Sequence, residues 1–301
     1  MRDRIAGGLV GLLVGDALGV PYEFHDPRNL PPPDQIELEP PSGFRRSHLG
    51  VPPGTWSDDG AHALCLLASL LDRGGVDVDD LGRRLVAWWG TGYLAVDARP
   101  YDIGNQTSDA LIALERGVPA ERSGGAGERD NGNGSLMRVL PLALWHRGSD
   151  ASLAADACRQ SVVTHGHPRS QVCCALYCLW ARRILADHPD PWADAVATVR
   201  DLGIHPGELD QVLGFSAPRG SGYVVDALHS ARIAVDAGPY EVAVRRAIGF
   251  GLDTDTTACI AGGIAGLRDG LDGIPVRWRD ALRGRPLFEP LLDRLLAIHL
   301  Q

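Results

Sequence analysis

The sequence predicts an all-α fold, a single compact multi-helix domain spanning residues 1–301. Apolar residues recur at helical spacing along most of the chain, as in the stripe Val172, Ala175, Leu176, Leu179, Trp180 and Ile184. Period-two alternation is nearly absent, with Gln35 to Leu38 the one weak strand candidate. No internal repeat of fixed period is present, which argues against a solenoid.

Composition narrows the functions. An apolar content of 45% supports a real core. The net charge of -9 argues against a nucleic-acid-binding surface. All 29 basic side chains are arginine, so a Walker-type phosphate loop and a Schiff-base lysine are both excluded. The six cysteines lie mostly in apolar helical runs without CxxC spacing. They read as small buried hydrophobes in a reducing compartment, and the cytoplasm is the expected location. No run reads as long enough to span a membrane, so no membrane partner is expected. Arg2 and Arg4 before Ile5 to Val14 mimic a signal peptide, but Asp3, the glycines and Asp16 weaken that reading.

Residues 2–19 form a helix carrying Gly7, Gly8, Gly11 and Gly15. Each glycine costs about 1 kcal/mol against alanine, so a neighbouring helix must approach closely there. Glu23 follows that helix, beyond Pro21 and between Tyr22 and Phe24. Prolines crowd residues 26–53, a connector long enough to be functional or mobile. Ser57-Asp58-Asp59-Gly60 then opens a helix over 61–73, with Ser57 or Asp58 as its cap. A further helix covers Val78 to Trp89, residues 91–106 are irregular, and a short helix runs to Arg116.

The stretch 123–135 is rich in glycine and leads toward a helix start, where backbone N–H groups can meet a phosphate. Thr164-His165-Gly166-His167-Pro168 separates two helices; one functional histidine is a better reading than a metal pair. Further helices are expected over 190–202, 206–214, 223–237, 239–249, 256–269, 276–284 and 287–299. The one opening at 256 follows Asp253-Thr254-Asp255-Thr256. One acid at a helix start is a cap favoured by the macrodipole. A second beside it adds repulsion that capping does not need. Two such starts point to convergent oxygen ligands for hard divalent cations.

With these motifs in hand, the chain resembles the ADP-ribosylglycohydrolase family, collinearly over nearly its full length. The resemblance rests on Gly15-Asp16 through Glu23, Ser57-Asp58-Asp59, Asn131 to Ser135 with Met137-Arg138, Thr164-His165, and Asp253 to Thr256. It implies an all-α fold with two Mg²⁺ or Mn²⁺ ions in a cleft. By matching position, Ser57, Asp58, Asp59, Asp253, Asp255 and Thr256 ligate them. Gly132, Asn133, Gly134 and Ser135 hold the ADP-ribose phosphates and distal ribose, and His165 lines the cleft. Glu23 lies over the metals, and Glu23 or Asp253 guides proton transfer.

The implied enzyme, expected as a monomer, removes ADP-ribose from an acceptor on a protein or small molecule, with arginine favoured. A non-catalytic ADP-ribose-binding or structural member is the alternative. A dinuclear phosphohydrolase that cleaves the pyrophosphate is a third reading. Two departures from the family pattern stand out: Gly60 where many members have threonine, and Asn131 where some have an aromatic residue.

Overall fold

The computed structural model describes residues 1–300. Among them are fourteen α-helices and no β-strand: α1 (Arg2–Gly19), α2 (Asp58–Arg73), α3 (Val78–Thr91), α4 (Asn105–Glu115), α5 (Leu140–Trp145), α6 (Asp150–Ser161), α7 (Pro168–Leu185), α8 (Pro191–Asp201), α9 (Pro206–Gly214), α10 (Val224–Asp236), α11 (Tyr240–Ile248), α12 (Thr254–Asp269), α13 (Val276–Ala281) and α14 (Arg285–Ile298). The strand candidate at Gln35 to Leu38 is not one. It follows a 3₁₀ turn at Pro33–Gln35 and has no partner strand to supply its hydrogen bonds.

The glycines of α1 explain how the site is held. A Cβ on Gly7, Gly11 or Gly15 would fall 2.3, 2.5 or 2.1 Å from the carbonyl oxygens of Gly266, Gly262 and Ala258 respectively. Gly19 likewise abuts Thr254 and Asp255. Helices α1 and α12 therefore run antiparallel with backbone against backbone, one glycine per turn. Gly8 is the exception among the expected four, since it faces the side chains of Leu267 and Leu144. The antiparallel run brings the end of α1 to the start of α12.

The segment Arg2–Tyr22 does reach the length and apolarity of a membrane span, contrary to the sequence reading. It is nevertheless the central helix of the protein, buried from Ile5 onward. One continuous core takes side chains from all fourteen helices, as the single-domain expectation requires.

Helix α2 starts at Asp58, three residues before the expected 61, because its N-terminus is tied from two sides. The Ser57 hydroxyl accepts from the Asp59 N–H at 3.3 Å. The buried Asp16 carboxylate accepts from Ser57 N–H at 2.9 Å and Gly60 N–H at 2.7 Å. The helix ends at Gly74 in the left-handed region, φ 69°, a common glycine stop. The expected helix start after the glycine-rich stretch comes later, at Leu140, so residues 133–139 stay in turns.

Candidate active site

A cleft of about 360 Å³ opens where these termini meet. Glu23 enters from the α1 side. A 3₁₀ turn (Val20–Tyr22) follows α1, and the backbone then hooks onto the α12 side: Phe24 N–H donates to Leu252 O at 2.6 Å, and Leu252 N–H to His25 O at 2.8 Å. Phe24 takes φ 63° in this hook and stands 70% exposed at the mouth, a strained placement of a large apolar ring.

The Glu23 carboxylate meets His48 Nε2 at 2.5 Å, and the His48 ring lies between those of Phe24 and Tyr101. Asp102 Oδ1 is 3.6 Å from the same nitrogen. Burial, and then the charges of Asp102 and Asp253, push the Glu23 carboxyl up to about 11.

Below Glu23 lie the doubled acids. The Asp59 Oδ2 accepts from the hydroxyls of Ser57 and Thr256, both at 3.2 Å. Asp253 Oδ2 accepts from the Asn133 amide at 2.9 Å. Asp59 Oδ1 and both oxygens of Asp255 are buried without any hydrogen-bond partner. Oxygens of Glu23, Asp253 and Asp255 lie within 4.8 Å of one another.

Burial raises the carboxyls of Asp58, Asp59 and Asp255 well above the usual range, with neighbouring acids adding to it, and burial also raises Asp253. No arginine lines the cleft to offset them. Orphaned buried carboxylate oxygens crowded by like charges are costly unless a cation joins them, so the donor set fits a hard divalent cation. Glu23, His48 and Asp102 also cluster within 4.8 Å. There, however, Glu23 is hydrogen-bonded to His48, whereas the orphaned buried oxygens belong to Asp59 and Asp255.

The opposite wall is the 131–137 turn. Gly132 N–H donates to Gln106 Oε1 at 3.0 Å and Asn133 N–H to Gly222 O at 3.1 Å, so neither is free for a ligand. The Gly134 and Ser135 N–H groups have no partner among the described residues. His165 borders the cleft against Gly132 and Gly134. His167 instead caps α7, accepting from Arg169 N–H at 3.1 Å.

Of the residues singled out from sequence, Glu23, Asp58, Gly132, Asn133, Gly134, His165, Asp253 and Thr256 line the cleft. Ser57, Asp59 and Asp255 lie buried at the same helix starts. Ser135 does not line it: its hydroxyl turns inward, accepting from Ser161 at 2.8 Å, so any ligand contact falls to its backbone. Asp16, His48, Asp102 and Gln106 were not singled out. Asp16 and Asp102 stood in motifs or loops already noted, whereas His48 carried no local signal.

Both departures have physical reasons. A Cβ on Gly60 would fall 2.8 Å from Leu13 Cδ2 and from Trp56 Cγ, so threonine does not fit. Asn131 points away from the cleft, its amide donating to Glu128 O at 2.9 Å.

The all-α fold thus gathers a set of buried carboxylates at two helix starts, beside a glycine-rich turn. The chain belongs to the ADP-ribosylglycohydrolase family, which it matches over residues 1–300. It is 34% identical to an ADP-ribosylarginine hydrolase Tri1 of Pseudomonas putida, covering 92% of this chain and 73% of the relative. It is 28% identical to an ADP-ribosyl-[dinitrogen reductase] glycohydrolase of Rhodospirillum rubrum, covering 94% and 91%. A solved ADP-ribosylglycohydrolase-related protein complex superposes with a TM-score of 0.78 at 31% identity, over 99% of this chain and 98% of that one. The protein is thus a glycosyl-bond hydrolase, and removal of ADP-ribose is its general reaction.

Proposed function

We propose that the protein is a divalent-cation-dependent hydrolase that releases ADP-ribose from modified arginine side chains. The observation that carries the cation dependence is the set of three buried carboxylate oxygens, on Asp59 and Asp255, with no partner. Asp58, Asp59, Asp253 and Asp255, with the hydroxyls of Ser57 and Thr256, would hold two Mg²⁺ or Mn²⁺ ions. When bound, the ions supply Lewis-acid polarisation of the ribose hydroxyls and of water.

The remaining chemistry belongs to the chain. Water adds to C1 of the distal ribose as the C1–N bond to the guanidine breaks, and the proton goes to the departing nitrogen. Glu23 moves that proton, held in position by His48, with Asp253 as the second candidate. The surrounding carboxylates stabilise the positive, oxocarbenium-like transition state.

The arginine acceptor is supported by the names of the relatives and by the cleft mouth, where the exposed Phe24 ring stands beside Glu23 and Asp102. An aromatic face flanked by carboxylates suits a planar cation. Six unpaired cysteines support a reducing, cytoplasmic setting.

The test is turnover of ADP-ribosylated arginine and ADP-ribosylated serine peptides with Mg²⁺, with Mn²⁺ and after chelation. Release of ADP-ribose from the arginine peptide alone, lost on chelation, is expected. Preference for serine would refute the acceptor assignment. AMP as product would move the reaction to the pyrophosphate.

A further inference from the structure

Arg138 is fully buried behind the 131–137 turn, and no carboxylate among the described residues pairs with it. Each nitrogen of its fork nonetheless finds a partner. Nε donates to Gln160 Oε1 at 2.9 Å, Nη2 to Gln160 O at 2.8 Å, and Nη1 to Thr164 Oγ1 at 2.7 Å and Gly134 O at 3.4 Å. A buried cation without a counter-charge is expensive, and these neutral acceptors do not explain why the position is an arginine.

Proton accounting along the contact explains it. The Thr164 hydroxyl accepts from Arg138, which leaves its single hydrogen to donate. The one acceptor within reach is His165 Nδ1, at 2.7 Å. A neutral imidazole that accepts at Nδ1 carries its proton on Nε2. That nitrogen lies at the cleft wall, 3.1 and 3.3 Å from where side chains on Gly132 and Gly134 would begin. Among the described residues it has no hydrogen-bond partner, and neither has the Gly134 N–H. The imidazolium form is suppressed: burial and then the Arg138 charge hold His165 down at about 3. No arginine reaches the cleft surface itself, so Arg138 is also the positive charge beneath this wall.

We propose that Arg138, acting through the Thr164 hydroxyl, is a positioning residue that locks His165 as the neutral Nε2–H tautomer and makes it a fixed hydrogen-bond donor to a diphosphate oxygen of the ligand. The ligand half of this proposal rests on the cleft taking ADP-ribose. The tautomer half does not.

The test is ¹⁵N NMR of the ligand-free full chain labelled at histidine, with His165 assigned by loss of its signals in His165→Gln. One protonated nitrogen, Nε2, is expected across pH 6–8. An Nδ1–H ring or an imidazolium in the unmodified protein overturns the relay, whether or not any variant folds. Thr164→Val keeps the shape and removes the hydroxyl; mixed tautomers and about tenfold weaker ADP-ribose binding by calorimetry are expected, with Thr164→Ser restoring both. Arg138→Lys keeps the charge but not the fork, and mixed tautomers are again expected. A single tautomer surviving in Thr164→Val refutes the hydroxyl's part. Mixed tautomers with unchanged affinity refute the donation to ligand. If the unmodified protein binds no ADP-ribose, the proposed function fails while the spectrum still judges the relay.

Discussion

Replacing Asp255 with asparagine should raise stability without the cation and remove the stability that the cation adds. Without it, Asp255 is a 1% exposed carboxylate with no hydrogen bond, facing Glu23, Asp102, Asp59 and Asp253. The protein must either keep that charge buried or take up a proton. Proton uptake caps the penalty: at pH 8, about four units above the ordinary carboxylate value, the cap is about 5.5 kcal/mol. An asparagine amide left unpaired returns about 1–3 kcal/mol of that. A net gain of up to about 2.5–4.5 kcal/mol is therefore expected in chelator.

For a chain of 301 residues, the entropy of unfolding is about 0.6 kcal/mol per degree. The gain then reads as a rise in Tm of about 4–7 °C. In the unmodified protein, Mg²⁺ at a hundredfold over Kd adds about 2.7 kcal/mol, or about 4 °C. Asp255→Asn should abolish this increment together with turnover. The assay is thermal unfolding at pH 8 in EDTA and in a Mg²⁺ series. A variant that melts lower in EDTA yet keeps the full Mg²⁺ increment would refute the reading of Asp255 as a ligand held at a cost.

The chelated protein should also lose stability as pH rises. Asp16 goes from 3.8 to about 7, and Asp58, Asp59 and Asp255 shift in the same direction. The folded state therefore binds these protons more tightly. That stability is present below pH 4 and is lost as pH climbs through the raised values, so melting in EDTA at pH 5.5 and 8 should show the lower Tm at pH 8, and Mg²⁺ should narrow the gap. His48→Ala removes the side-chain partner of the Glu23 carboxylate, and steady-state kinetics should show kcat reduced about tenfold, with a stability loss of about 1–3 kcal/mol. Gly11→Ala puts a methyl 2.5 Å from Gly262 O and should cost about 3 kcal/mol, near 5 °C, whereas Gly207→Ala in α9 meets nothing and should gain about 0.5–1 kcal/mol. Gly60→Thr, the residue many relatives carry, should destabilise by about 1–3 kcal/mol in a denaturant titration, because Leu13 and Trp56 occupy its space.

The helices were legible because each carries its own periodicity and stops, information local to ten or twenty residues. The aspartates at 58, 59, 253 and 255 were legible for a similar reason: doubled acids at a helix start are locally odd. His48 was invisible because its meaning lies in Glu23, 25 residues away, and in a proline-rich loop with no periodic signal. Asp16 stood in a motif without a role of its own, and only the fold shows it holding the backbone of Ser57 and Gly60. The inward turn of Ser135 was equally hidden, since a motif fixes where the backbone goes and not which way a hydroxyl rotates. The length of the apolar run in α1 was under-read from sequence, because its four glycines and Asp16 break the look of a continuous apolar stretch.

The seam between α1 and α12 has a consequence for how such a protein can change over generations. In most cores, the distance between two helices depends on the side chains between them, and drifts as those are exchanged. Here carbonyl oxygens and glycine α-carbons set it, so neutral exchange of core residues elsewhere leaves the spacing between Glu23 and Asp255 untouched. The mouth, built from Phe24 and residues 102–106 with the His48 ring between Phe24 and Tyr101, is free to vary around that fixed ruler. A lineage can thus try new acceptors while the acids at the two helix starts stay in register, at the price of four glycine positions that tolerate almost nothing else.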